Sequence, residues 1–238
     1  MRKETTVNRI KLHPLGAVLA ISVLSLAGAL SVGAGEQTAE AQEPQASPAL
    51  LDPTLATATA PATYKVRLET TKGDVVIEVH REWAPIGADR FYNLVKIGYY
   101  DDTAFYRVIS GFMAQVGFSG DPKVTAAWKE RMIQDDPITQ PNTRGMVTFA
   151  MQSTPNTRTT QFFINYGDNS YLKQHGNFAP FGKIIEGMEV VDSLYSGYGE
   201  GAPRGRGPSQ MTISTEGNSY LKKSFPELDY IVKATVIE

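Results

Sequence analysis

The sequence predicts a mostly-β domain, a barrel or a sandwich, behind an N-terminal leader and a linker. Two observations carry this. Short segments rich in Val, Ile, Phe and Tyr recur from residue 63 onward, punctuated by Gly, Pro and Asn. Few stretches keep the 3.6-residue apolar spacing of a helix. Many short strands with few helices pack as one or the other of these two architectures. A barrel closes its own sheet edges, which suits a monomer; periodicity alone does not choose.

Tyr64 to Glu69 reads as a strand, Thr71-Lys72-Gly73-Asp74 as a turn and Val75 to His80 as a second strand, so the pair predicts a hairpin. Pro85 opens a helix where its missing N–H is tolerated. Phe91, Leu94 and Val95 form the apolar stripe of that helix, and Gly98 ends it. Strand-type segments follow at 104–109, 112–118, 146–151, 161–165 and 179–185. Met188 to Tyr195 reads as a second short helix with Val191 and Leu194 inward. Residues 196–210 hold five glycines and two prolines and read as a flexible loop. A helical piece around 215–224 and a strand over 229–237 complete the pattern.

Ahead of the domain, Arg2, Lys3, Arg9 and Lys11 precede an apolar run from Leu15 to Val32. A basic n-region followed by an h-region is the pattern of an export signal. Small-x-small sites end at Ala34 and Ala41, and cleavage is expected after Ala41. The body is then expected to be exported, periplasmic or secreted. An uncleaved signal would instead anchor it in the membrane through residues 15–32, a run at the lower length limit for a span. Residues 1–41 are therefore assigned to a signal peptide. Residues 42–62, with Pro44, Pro48, Pro53 and Pro61 among Ala and Thr, are assigned to an extended linker, and 63–238 to the domain.

Composition removes several functions. A formal charge of −2 argues against a nucleic-acid partner held by bulk positive charge. The absence of cysteine excludes a disulfide framework, thiolate metal sites and a cysteine nucleophile. Three histidines, His13, His80 and His175, without ligand-type spacing leave no expected metal site. No P-loop pattern is present, and the Gly-x-Gly fragments of 197–207 neither follow a strand nor open a helix, so no nucleotide cofactor is expected.

Two segments carry chemistry. In Phe105-Tyr106-Arg107-Val108-Ile109-Ser110-Gly111-Phe112-Met113-Ala114-Gln115, period two puts Phe105, Arg107 and Ile109 on one face. An arginine within such an apolar run either snorkels at an edge or reaches a partner or ligand. The second runs from Gly145 through Ala150-Met151-Gln152 and Pro155-Asn156-Thr157 to Gln161-Phe162-Phe163-Ile164. Gln161 and Phe163 share a face, one polar and one apolar.

Together with Phe181-Gly182-Lys183-Ile184-Ile185-Glu186-Gly187-Met188-Glu189-Val190-Val191, these segments resemble the cyclophilin family of peptidyl-prolyl cis/trans isomerases from about Tyr64 to Leu194, with strand 229–237 closing the fold. The resemblance implies a closed eight-stranded antiparallel barrel with two capping helices and a shallow proline groove. It implies Arg107 as the catalytic arginine and Phe112, Met113, Phe163 and Leu172 as the pocket for the proline ring. Gln115 and Gln161 would hold the peptide, beside the backbone of Ala150, Met151 and Gln152. Tyr171 stands where many members have tryptophan, and Phe178 where many have histidine. The segments 119–144 and 196–224 are longer than in the smallest members. The implied partners are proline-containing polypeptides, here exported clients during folding. The alternatives are a proline-peptide binding module without turnover and a membrane-tethered scaffold.

Overall fold

The computed structural model describes residues 46–237. The expected signal peptide and the first residues of the expected linker lie outside them.

Strands β1 (Thr63–Thr70) and β2 (Gly73–His80) form the expected hairpin in full register, from Thr63 opposite His80 to Thr70 opposite Gly73. Alternation buries Tyr64, Val66 and Leu68 on one strand and Val75, Ile77 and Val79 on the other. Helix α1 (Pro85–Lys96) follows, burying Ala88, Phe91, Leu94 and Val95. Ala84 offers no side-chain cap, and the orphan amides of Ile86 and Gly87 are taken by the Asp136 carboxylate at 2.9 and 2.8 Å. Gly98, at φ +75°, ends the helix, with Tyr99 N–H returning to the Leu94 carbonyl. Phe91 is the hub of the core, 4.9–5.5 Å from the rings of Tyr100, Phe162 and Phe181.

The remaining strands are β3 (Thr103–Ala104), β4 (Arg107–Ile109), β5 (Met113–Val116), β6 (Met146–Phe149), β7 (Phe162–Asn165), β8 (Pro180–Glu186) and β9 (Tyr230–Ile237). They form one antiparallel sheet in the order β3-β9-β1-β2-β8-β6-β7-β5-β4. This corrects the expectation of a closed eight-stranded barrel. The sheet has nine strands among the described residues, and it curls but stays open, because no ladder joins β3 to β4. The cause lies in the segment 104–109. Thr103 and Ala104 pair with β9, and Phe105 N–H still bonds the Asp229 carbonyl. At Tyr106 the chain changes partner, and Arg107 to Ile109 pair with β5. One expected strand becomes two, at opposite ends of the sheet. The break also removes Phe105 from the face of Arg107: Phe105 joins the main core.

Helices differ from expectation too. The sequence predicts two capping helices and a helical piece around 215–224, and five α-helices occur among the described residues: α1, α2 (Pro122–Trp128), α3 (Met188–Asp192), α4 (Gln210–Glu216) and α5 (Asn218–Ser224), the last within the expected 215–224 piece. The α3 helix matches the second expected one, with Val191 and Leu194 buried. Helices α4 and α5 cover a small second core of Tyr106, Ile213, Leu221 and Leu228.

Over its described part, the Pro/Ala/Thr-rich stretch lies along the domain. Trp128 donates its indole N–H to the Leu50 carbonyl, and Asn93 and Asp89 accept from the Ala58 and Ala60 amides.

Candidate active site

The register of three neighbouring strands builds the site. Arg107 on β4 lies opposite Gln115 on β5, and Gln115 lies opposite Phe163 on β7. Their strand neighbours Val108, Ala114, Val116, Phe162 and Ile164 point into the main core. Period two therefore aims Arg107, Gln115 and Phe163 together at the other face. There Met113, Phe163 and Leu172 form a separate apolar cluster, joined by Phe112, Ala150 and Phe178. Phe178 meets Phe163 edge-on at 6.0 Å.

These residues line a groove of about 770 Å³. Its lining includes Arg107, Phe112, Met113, Gln115, Ala150, Met151, Gln152, Gln161, Phe163, Leu172 and Phe178. Tyr171 does not line it: that side chain is 48% exposed and meets His175 edge-on at 6.2 Å. It sits on a single turn of 3-10 helix, Ser170–Gln174, which turns Leu172 inward and Tyr171 outward. Phe163→Ala should therefore raise KM for a short X-Pro peptide by about tenfold, from the apolar surface lost in the pocket. Tyr171→Ala should change it by no more than about twofold, as for an ordinary surface position. Steady-state kinetics on one peptide checks both.

A polar chain runs along the rim. Arg107 Nη1 donates to Gln115 Oε1 at 3.0 Å. Since an arginine only donates, the Gln115 oxygen must face it, leaving the amide nitrogen toward Gln161 Oε1 at 3.4 Å. Tyr106 O–H donates to that same oxygen at 2.6 Å. Burial pushes the Tyr106 phenol far up, so it stays a neutral donor. The guanidinium borders the apolar pocket, 3.8 Å from the Met113 sulfur and 5.9 Å from the Phe112 ring centre.

Sequence reading gave no role to two further residues. Tyr106 lies within the motif, but its contact with Gln161 depends on the partner change at the strand break. Glu200 comes from the glycine-rich 196–210 stretch and pairs with Arg107 through two bonds, 2.8 Å to Nε and 2.7 Å to Nη2. That stretch also contributes Gly201 to Arg204 to the lining, and α4 contributes Gln210, Met211 and Ser214. Among the described residues no group of His, Asp or Glu side chains converges on a metal position. No described helix is long and apolar enough to cross a membrane.

Comparison with known proteins gives one family. Residues 65–216 match the model of the cyclophilin type peptidyl-prolyl cis-trans isomerase family. A peptidyl-prolyl cis-trans isomerase of Acinetobacter baylyi is 38% identical over 146 residues, covering 59% of this chain and 76% of its own. Peptidyl-prolyl cis-trans isomerase B of Escherichia coli is 32% identical over 157 residues, covering 63% and 93%. A crystal structure of a Cryptosporidium parvum cyclophilin type isomerase, determined in the presence of the dipeptide Ala-Pro, superposes with a TM-score of 0.52 at 25% identity, over 73% of this chain and 99% of that one.

Proposed function

The chain belongs to the cyclophilin type peptidyl-prolyl cis-trans isomerase family and accelerates rotation about X-Pro bonds; we propose that Arg107 supplies the catalytic donor and that the clients are exported proteins. Rotation about a peptide bond faces a barrier of roughly 18–20 kcal/mol because it breaks amide resonance. The two X-Pro isomers are close in energy, so exchange is slow but needs no covalent step. In the twisted state the imide nitrogen regains its lone pair. A donor aimed at that lone pair stabilises the twisted state more than either planar one, which is the condition for acceleration. A thousandfold gain needs about 4 kcal/mol.

The observation that carries this reading is the position of the Arg107 guanidinium at the edge of the apolar pocket, beside Met113 and Phe112. The proline ring is held by Phe112, Met113, Phe163, Leu172 and Phe178, while the preceding carbonyl swings past Arg107. Gln115 and Gln161, ordered by Tyr106, bond the peptide backbone, and Ala150 to Gln152 flank it. Arginine suits the task because it is always charged and planar.

The export reading stands on the basic residues ahead of the 15–32 apolar run and on the site ending at Ala41. N-terminal sequencing of the protein from an expressing cell tests it, with Gln42 the expected first residue; a full-length chain in the membrane fraction would favour anchoring instead. The client reading is tested by refolding a substrate whose slow phase is an X-Pro isomerisation. That phase should accelerate in proportion to added protein. A phase indifferent to the protein would argue against polypeptide clients.

A further inference from the structure

We propose that Glu200 is a positioning residue for the isomerisation, fixing the plane of the Arg107 guanidinium in the groove. The proposal rests on the reading of Arg107 as the catalytic donor and adds a second charged residue to it.

An arginine on a short strand carries a long, flexible side chain, and a donor must be held within a fraction of an ångström of its task. In this groove the holding comes from outside the strand. Glu200 Oε1 accepts from Nε at 2.8 Å and Oε2 from Nη2 at 2.7 Å, while Gln115 Oε1 accepts from Nη1 at 3.0 Å. One bond on each of three nitrogens leaves the guanidinium no rotation. Of its five N–H groups, the two that meet no oxygen sit one on each terminal nitrogen, and the one on Nη1 has only the weak Met113 sulfur acceptor at 3.8 Å. Nη1 is the one that lies beside the Met113 sulfur of the ring pocket. The carboxylate thus takes the side edge of the fork and leaves donors at the end nearer the pocket.

Glu200 is itself held. Its Oε1 also accepts from Gly201 N–H at 3.0 Å, and its carbonyl accepts from Gly207 N–H at 2.9 Å. A Cβ on Gly205 would collide with that same carbonyl oxygen, and one on Gly207 would come within 2.9 Å of it. The glycines therefore serve close packing of the turn around Glu200. Two residues earlier, Tyr198 is wedged edge-on against Tyr195 and Phe225, each at 5.0 Å, tying the turn to the core under α5. The Arg107 pairing holds the Glu200 carboxyl below the usual range, with Arg204 acting in the same direction. Beside the buried, neutral Tyr106 phenol, the carboxylate is ionised at neutral pH.

The test is kcat and KM on one short X-Pro peptide for the full protein and for Glu200→Ala, Glu200→Gln, Glu200→Asp and Gly205→Ala. In Glu200→Ala, kcat should fall by about ten- to a hundredfold, the penalty for a misplaced catalytic group, with KM within about twofold. Glu200→Asp should retain more than Glu200→Gln, whose amide nitrogen would face a donor. Gly205→Ala, outside the groove lining, should shift kcat in the same direction by unseating the turn. The Arg107 Nε–H resonance in a nitrogen-15 spectrum should move and exchange faster with water in Glu200→Ala. An unchanged kcat, a rise in KM alone, or faster turnover in Glu200→Ala would overturn the proposal; the last would show the carboxylate competing with the client. A wild-type protein without turnover would overturn the reading of Arg107 as well, and this inference with it.

Discussion

Arg107→Ala should lower kcat/KM for a short X-Pro peptide by about 10²–10³, the range for losing one preorganised charged donor. The loss should appear mainly in kcat, because the ring pocket of Phe112, Met113, Phe163, Leu172 and Phe178 is untouched. Folding should survive, since the Arg107 side chain is 19% exposed on a rim, paired with a Glu200 that is 31% exposed. With the arginine gone, Glu200 can turn to water. Arg107→Lys should rescue poorly: an ammonium cannot bridge both Glu200 oxygens while reaching Gln115. A folded alanine variant with near-wild-type turnover would remove Arg107 from the mechanism.

The largest expected effect on stability belongs to another arginine. Arg158 is fully buried, with Nη1 on Asp136 Oδ2 at 3.0 Å, Nη2 on the Gln134 carbonyl and Nε 3.4 Å from Asp135 Oδ1. Asp136 in turn caps α1. One guanidinium thus ties residues 134–136, the start of α1 and the loop before Gln161 together. Removing one partner from a buried ion network leaves uncompensated charge and costs about 3–5 kcal/mol. Arg158→Met should therefore lower Tm by about 6–20 °C in a domain of this size. Thermal unfolding followed by circular dichroism checks this. A shift of under about 2 °C would mean that Asp135 and Asp136 find water or another donor. Thr157, Thr159 and Thr160 line the groove on either side of Arg158, so turnover should fall in the variant before the domain melts.

Much of the site was legible because the motifs are local and strand register does the rest. The resemblance of those motifs to the cyclophilin family implies Arg107, Gln115 and Phe163 as site residues, and period two alone puts Gln161 with Phe163 on the face that lines the groove, while β4, β5 and β7 lying side by side bring the three together. The strand break was not legible. Phe105, Tyr106 and Val108 are all good strand formers, and nothing local marks Tyr106 as the point where the chain leaves β9 for β5. That change of partner turns an expected closed barrel into an open nine-stranded sheet. Helix α2 was missed for a different reason. Asp121 caps it and Pro122 opens it, both readable start signals, but seven residues make less than two turns and hold a single apolar i, i+4 pair, Val124 and Trp128, too short to set a period. Glu200 had no local signal at all. It meets Arg107 across 93 residues of chain, and its glycine neighbours read as flexibility when they serve close packing.

If the Arg107 guanidinium drives turnover in this groove, exchange between cis and trans X-Pro peptide depends on it. Exchange NMR on a short X-Pro peptide at equilibrium tests it most directly, because it needs no coupling protease and sees both isomers. Catalytic amounts of the protein should produce cross-peaks between cis and trans resonances that the peptide alone lacks. The same amount of Arg107→Ala should still shift the peptide signals on binding but give cross-peaks weaker by the factor seen in kcat. Binding shifts without exchange in the wild type, or equal exchange rates with and without Arg107, would rule out turnover through the Arg107 guanidinium.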